Sequence, residues 1–155
     1  MSNEGMPEPA AKRLGYALKR AQHALRTRMD ESLRHLGLSA PRYAVLTAVE
    51  IEPGLSNARL ARAAFVTPQT MQGILANLER DGLLIREADP AHGRILRSRL
   101  TARGREVLAQ AHRIADEVEG VMVESVGAGE AARLAATLSR CAADLDRRRS
   151  TASIT

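Results

Sequence analysis

Residues 67–100 constrain this chain more than any other stretch. Thr67-Pro68 opens a run in which Met71, Ile74, Leu75 and Leu78 recur at helical spacing, and Asp81-Gly82 closes it. A hydroxyl followed by proline is a helix start, because the side chain caps a free backbone N–H and proline fits the first turn. Two short strand-like runs follow, Leu83 to Glu87 and Ile95 to Leu100. Between them lies Asp89-Pro90-Ala91-His92-Gly93, which is turn chemistry. The stretch is thus a capped helix leading straight into a hairpin with Arg94 beside its turn.

The flanking segments are helical. Leu14, Leu18, Ala21, Leu25, Met29, Leu33 and Leu36 step by three and four, giving one apolar stripe over a helix from Ala10 to Leu36, and Gly37 stops it. Ser39-Ala40-Pro41 opens a second helix that runs to about Glu50, where Glu52-Pro53-Gly54 breaks it. Ser56 or Asn57 caps a short third helix through Ala64. Thr101 caps a long helix to about Val126, with Leu108 and Val118 on its apolar seam. Gly127-Ala128-Gly129 breaks that helix, and a last one covers Glu130 to Arg147 with Leu134, Leu138, Cys141 and Leu145 inward. The fold class is mainly α with a small β hairpin.

Of 155 residues, only Tyr16, Tyr43 and Phe65 are aromatic, so the core must be aliphatic. The net charge of +5 and pI near 10.3 suit a polyanionic partner. The single Cys141 excludes an internal disulfide framework, and at an inner helix position it reads as a small core residue. Met1 to Ala10 has no apolar run behind a basic start, and no stretch approaches the roughly 18 apolar residues of a membrane span. The expected location is the cytoplasm.

On a helical wheel, Met71, Ile74, Leu75 and Leu78 share one arc, while Gln69, Gly73, Ala76 and Arg80 point the opposite way. A helix presented to DNA puts small and polar residues near its start, outward. Gln69 and Gln72 carry donor and acceptor together, so either can read adenine's N6 and N7 edge. Thr70 offers a hydroxyl or a methyl, Gly73 allows close backbone approach, and Asn77 flanks them. The helix start at Thr67 and Pro68 adds N–H groups that suit a phosphate. Ser56 opens the helix before. His92 and Arg94 sit at the hairpin turn, within reach of a minor groove or a phosphate. Arg86, Arg94, Arg97, Arg99, Arg103 and Arg105 cluster here against only Glu87 and Asp89. A polar helix face alone would be read as solvated; the adjacent arginine cluster turns the expectation to DNA.

Asn77-Leu78-Glu79-Arg80-Asp81-Gly82-Leu83-Leu84, Asp89-Pro90 with Arg94, and Leu100-Thr101-Ala102-Arg103-Gly104, in this helix order, resemble the MarR family of winged helix-turn-helix transcriptional regulators. The likeness covers about residues 10–147. It implies a homodimer that binds double-stranded DNA at a near-palindromic operator, repressing until a ligand shifts the recognition helices. The implied organisation is a flexible lead-in (1–9), an N-terminal dimerisation helix (10–37), a winged helix-turn-helix domain (38–100), C-terminal dimerisation helices (101–147) and a flexible tail (148–155). There are departures. His92 stands where the family usually has an acidic residue that helps hold the wing arginine, which leaves the restraint on Arg94 open. Gly73 stands where many relatives carry a larger contacting side chain, so specificity leans on Gln69, Thr70 and Gln72.

The resemblance also implies a small anionic or aromatic effector, for which Tyr16, Arg20, His23 and Tyr43 are the candidate residues. His23, His35, His92 and His112 lack metal-ligand spacing, and no phosphate loop or catalytic constellation is present, so neither metal, cofactor nor enzyme activity is expected. Competing readings are a helical protein-interaction adaptor that has lost DNA binding and a nonspecific basic DNA binder.

Overall fold

A computed structural model describes residues 12–152, with side chains as far as residue 148. The lead-in expected over 1–9, the start of the helix expected from Ala10, and the last three residues lie outside the described residues. In order, the elements are α1 (Leu14–Leu33) and a 3-10 turn (Arg34–Leu36), α2 (Ala40–Ile51), α3 (Asn57–Ala63), α4 (Pro68–Arg80), β1 (Leu84–Ala88), β2 (Leu96–Leu100), α5 (Ala102–Val126) and α6 (Ala128–Ala152). The strands pair antiparallel, Leu84 opposite Leu100 and Ala88 opposite Leu96. Mainly α with a small β-wing is therefore the fold, as expected.

Local chemistry explains the boundaries. Ser39, Thr67 and Thr101 each accept a backbone N–H from three residues on, those of Arg42, Thr70 and Gly104. Ser56 occupies the equivalent place before α3 but makes no side-chain cap bond; it pairs as an isolated bridge with Arg97. Three helical segments end in the same left-handed turn. Gly37 (φ 70°) and Gly82 (φ 72°) occupy it, with Leu38 N–H donating to Leu33 O at 3.3 Å and Leu83 N–H to Leu78 O at 2.9 Å. At the third, after α3, the residue is Phe65 (φ 54°), with Val66 N–H donating to Ala61 O at 3.0 Å.

The chain forms two compact units, meeting within α5 between Ala115 and Asp116. The core of the first is aliphatic. Leu33, Val45, Leu46, Leu60, Met71, Leu75, Leu78, Leu84 and Leu108 are all fully buried, each such side chain contributing about 1.5–3 kcal/mol. Where α5 begins it packs against the hairpin base. Thr101 Oγ donates to Gly82 O (2.7 Å) and Thr101 N–H to Leu83 O (3.2 Å). Gly104 lies so close that a Cβ there would collide with the Leu83 carbonyl, 2.9 Å from its carbon.

Four expectations change. Leu108 and Val118 are 0% and 6% exposed within the chain itself, so they belong to its own core rather than to a bare seam. On α5 the uncovered apolar side chains are Val121, Met122 and Val126. Only Gly127 (φ 88°) interrupts the helices. Its carbonyl already accepts the N–H groups of Glu130 and Ala131, so α6 starts at Ala128. That helix also continues past Arg147 to Ala152, into the tail expected to be flexible; Arg147 and Arg148 near its C-terminal end suit the helix dipole. Leu134, Cys141 and Leu145 are exposed within the chain rather than inward, and Leu138 is half-buried.

Candidate nucleic-acid interface

The short connection Ala64-Phe65-Val66-Thr67 sets α3 against α4, and Asn57 Nδ2 donates across it to Pro68 O at 3.3 Å. On α4, Met71, Leu75 and Leu78 are buried and Ile74 is half-buried. Gln69, Thr70, Gln72, Gly73, Ala76 and Asn77 are exposed. The wheel placed each of these correctly, because an amphipathic helix has one way to bury its apolar arc. The Thr67 hydroxyl also donates to Thr70 Oγ at 2.9 Å, so the Thr70 hydroxyl proton can aim outward. Both ends of the Gln69 amide are without partners among the described residues. At Gly73 an added Cβ would meet nothing within 4 Å.

Next to this face stands the hairpin. Its tight turn is organised by Asp89, which is only 8% exposed. Oδ1 accepts the N–H groups of Ala91 (2.7 Å) and His92 (3.3 Å), and Oδ2 accepts Arg97 Nε (2.6 Å). Arg97 Nη1 in turn donates to Gly54 O (2.9 Å), tying the hairpin to the loop after α2. The Ala91 N–H, and after it the Arg97 guanidinium, hold the Asp89 carboxyl below its ordinary value of 3.8.

The arginine cluster divides in two. Arg86 is bound to Glu79 and Gln72, Arg97 to Asp89, Arg99 to Glu87 (3.4 Å), and Arg105 to Leu100 O (3.2 Å). These arginines have partners within the fold, and composition alone counted them as though all six faced another molecule. Arg94 and Arg103 have no ion pair or hydrogen bond among the described residues, and both are exposed. The sequence left the restraint on Arg94 open; at the turn the only carboxylate in place, Asp89, is committed to Arg97. His92 is held by its backbone N–H, with its ring exposed. Arg94 and Gln72 line a common cleft of about 330 Å³, together with Ser56, Asn57, Arg86 and Ile95.

Phe65 escaped the sequence reading. It is 96% exposed and takes the left-handed turn conformation that glycine takes at the other two helix ends. A bulky residue with positive φ costs about 1–3 kcal/mol. The usable signal was a helix end with no glycine.

The effector candidates are split between two helices that pack on each other, α1 carrying Tyr16, Arg20 and His23, and α2 carrying Tyr43. Tyr16 is half-buried; Arg20 and His23 are exposed. Tyr43 packs edge-on against His112 of α5, with Oη 2.9 Å from Nδ1, and His112 Nε2 lies 2.8 Å from Glu50 Oε2. Sequence spacing gave no hint of this chain of three, since His112 lies 69 and 62 residues from its two partners.

The sequence model of the MarR family matches residues 36–95, which span α2 to the hairpin turn. The HTH-type transcriptional repressor Rv2887 of Mycobacterium tuberculosis is 43% identical over 101 residues, 65% of this chain and 73% of that one. Among solved structures, the transcriptional repressor CouR bound to a 23-mer DNA duplex superposes with a TM-score of 0.82 at 27% identity, over 90% of this chain and 99% of that one. Rv2887 in complex with salicylic acid superposes with a TM-score of 0.68 at 33% identity, again over 90% of this chain and 99% of the other.

Proposed function

The chain belongs to the MarR family, and on that premise we propose that it is a DNA-binding transcription regulator: a homodimeric, ligand-responsive repressor that occupies a near-palindromic operator. The observation that carries this is the outward side of α4. Gln69, Thr70, Gln72, Gly73 and Asn77 are exposed there, over a buried apolar arc and beside Arg94, which has no partner among the described residues. In this reading α4 enters the major groove. Thr67, Pro68 and Ser56 meet the backbone near the helix starts, and Arg94 with His92 reaches an adjacent phosphate or minor groove. Two copies give two such helices, and the operator's half-sites lie about one helical turn apart. Exposed Leu14 and Leu18 on α1, and Val121, Met122, Leu134 and Leu145 on α5 and α6, supply apolar surface for the second copy.

The effector is a small aromatic anion, taken up near Tyr16, Arg20, His23 and Tyr43. It acts by favouring one spacing of the two recognition helices over another. The protein works in the cytoplasm and has no catalytic role; among the described residues no helix is long and apolar enough to cross a membrane.

A mobility-shift titration on the promoter regions of its own and neighbouring genes, repeated at several salt concentrations, tests this. Tight binding to one duplex over scrambled DNA, weakened by an aromatic acid such as salicylate, is the expected result. An intact dimer that binds no duplex at low salt would be a protein-interaction adaptor instead. Equal, steeply salt-dependent affinity for every sequence would mark a nonspecific binder.

A further inference from the structure

We infer that Gln72 reads guanine, its amide turned donor-side outward by Arg86, with Arg86 and Glu79 as the positioning residues for that choice; the inference rests on the DNA-regulator reading above. Gln72 and Glu79 are seven residues apart on α4, two turns along one row of the helix. Arg86 rises into that row from β1. Its Nε (3.0 Å) and Nη2 (2.7 Å) both donate to Glu79 Oε2, and its Nη1 donates to Gln72 Oε1 at 3.1 Å. The Arg86 side chain is only 16% exposed, so protein rather than water fixes it.

A guanidinium has donors and no acceptor. The Gln72 amide can therefore meet Arg86 only through its carbonyl oxygen, by a charge-assisted bond stronger than one between neutral groups. The Gln72 NH2 is left outward and has no partner among the described residues. A glutamine free to rotate suits adenine, giving a hydrogen to N7 and accepting one from the N6 amine. With its carbonyl drawn toward Arg86, the same side chain turns its NH2 to the groove and brings N–H against adenine's N6–H. Thymine O4 offers a single acceptor. Guanine presents O6 and N7 side by side, both acceptors, and satisfies the outward NH2 fully. Gln69, three residues earlier, has no such restraint and keeps the adenine option. The helix thus carries two glutamines with different readings, a distinction that residue identity does not reveal.

The test selects bound duplexes from a random pool with the full-length wild type, Gln72→Ala and Arg86→Met, after sedimentation and thermal melting have checked each dimer. The wild-type pool should contain a guanine in each half-site whose enrichment disappears with Gln72→Ala. With Arg86→Met the same position should admit adenine, because the amide can rotate. On the wild-type protein, replacing that guanine by 7-deazaguanine or by adenine should weaken binding about fivefold or more. Hypoxanthine, which retains O6 and N7, should be tolerated. Should Arg86→Met fail to fold, the base-analogue series decides by itself. A Gln72-dependent adenine, or 7-deazaguanine bound as well as guanine, overturns the inference while leaving the regulator standing. An enriched pool indifferent to Gln72 does the same. An intact dimer that enriches no sequence removes the regulator reading, and this inference with it.

Discussion

The base and the tip of the wing are built on opposite terms. At the base, and where Asp89 braces the turn, the polar groups are engaged. Thr101 bonds to Gly82 and to the Gly104 N–H, Asp89 gathers Arg97 and two backbone N–H groups, and Arg97 reaches on to Gly54. At the tip, and on the α4 face beside it, Arg94 and Gln69 have no partner among the described residues, and Gly73 has open space around it. Buried or crowded polar groups must be satisfied within the fold, whereas groups meant for another molecule have to be left unsatisfied. Mutations at the base should therefore register in stability, and mutations at the tip in binding.

The largest effect is expected at Gly104. A side chain there would meet the Leu83 backbone, which cannot swing away as a flexible side chain would. Gly104→Val should destabilise the fold by about 3 kcal/mol, lowering the melting temperature by roughly 6–12 °C. A melt within a degree or two of wild type would mean that α5 does not start where it is placed here.

Asp89 comes next, and its signature is pH. Its carboxyl is depressed in the folded state, first by the Ala91 N–H and then by Arg97. The unfolded chain consequently takes up the proton more readily. Asp89's contribution is complete above the unfolded value, about 3.9, and is lost as pH falls through the lower folded value. Asp89→Asn should melt earlier than wild type at neutral pH, and the gap should close in acid, below about pH 4. A gap that stays constant through that range would show that the asparagine fails for steric reasons and not for want of charge.

Arg94→Ala should do the reverse. Its melting curve should match wild type within about 0.5 kcal/mol. Affinity for duplex DNA should fall across sequences, with the salt slope reduced by about one. Loss of stability without loss of affinity would move Arg94 to the base and break the distinction.

Much of this was legible beforehand, and the failures have a common cause. The helices, their hydroxyl caps and the inward arc of α4 follow from spacing and local capping, which are written into consecutive residues. The roles of the arginines are not. Arg97 faces Glu87 in the hairpin register and reaches diagonally to Asp89, a contact Arg94 does not make, and Arg86 finds Gln72 fourteen residues away. Leu108 and Val118 read only as an apolar seam of α5, because periodicity tells which face of a helix is apolar but not what covers it. Phe65 was overlooked because its exposure and positive φ arise from a turn whose usual sequence mark, glycine, is absent.

Phe65 and Gly73 sharpen the contrast at its smallest scale, since each is the wrong way round for stability. A left-handed helix end favours glycine and holds Phe65; an exposed helix interior favours alanine and holds Gly73. Neither choice is repaid inside the fold, for the Phe65 side chain is 96% exposed and nothing lies within 4 Å of a Cβ at Gly73. Phe65→Gly should relieve about 1 kcal/mol of backbone strain, and Gly73→Ala should add about 0.5–1 kcal/mol of helix stability. Both variants should melt higher than wild type and bind the operator less well. At Gly73 the reason is specific: a methyl group would stand where the helix backbone comes closest to the base edges. If Gly73→Ala gains stability and keeps full affinity, that approach is not used, and the contact surface narrows to the side chains on either side of it.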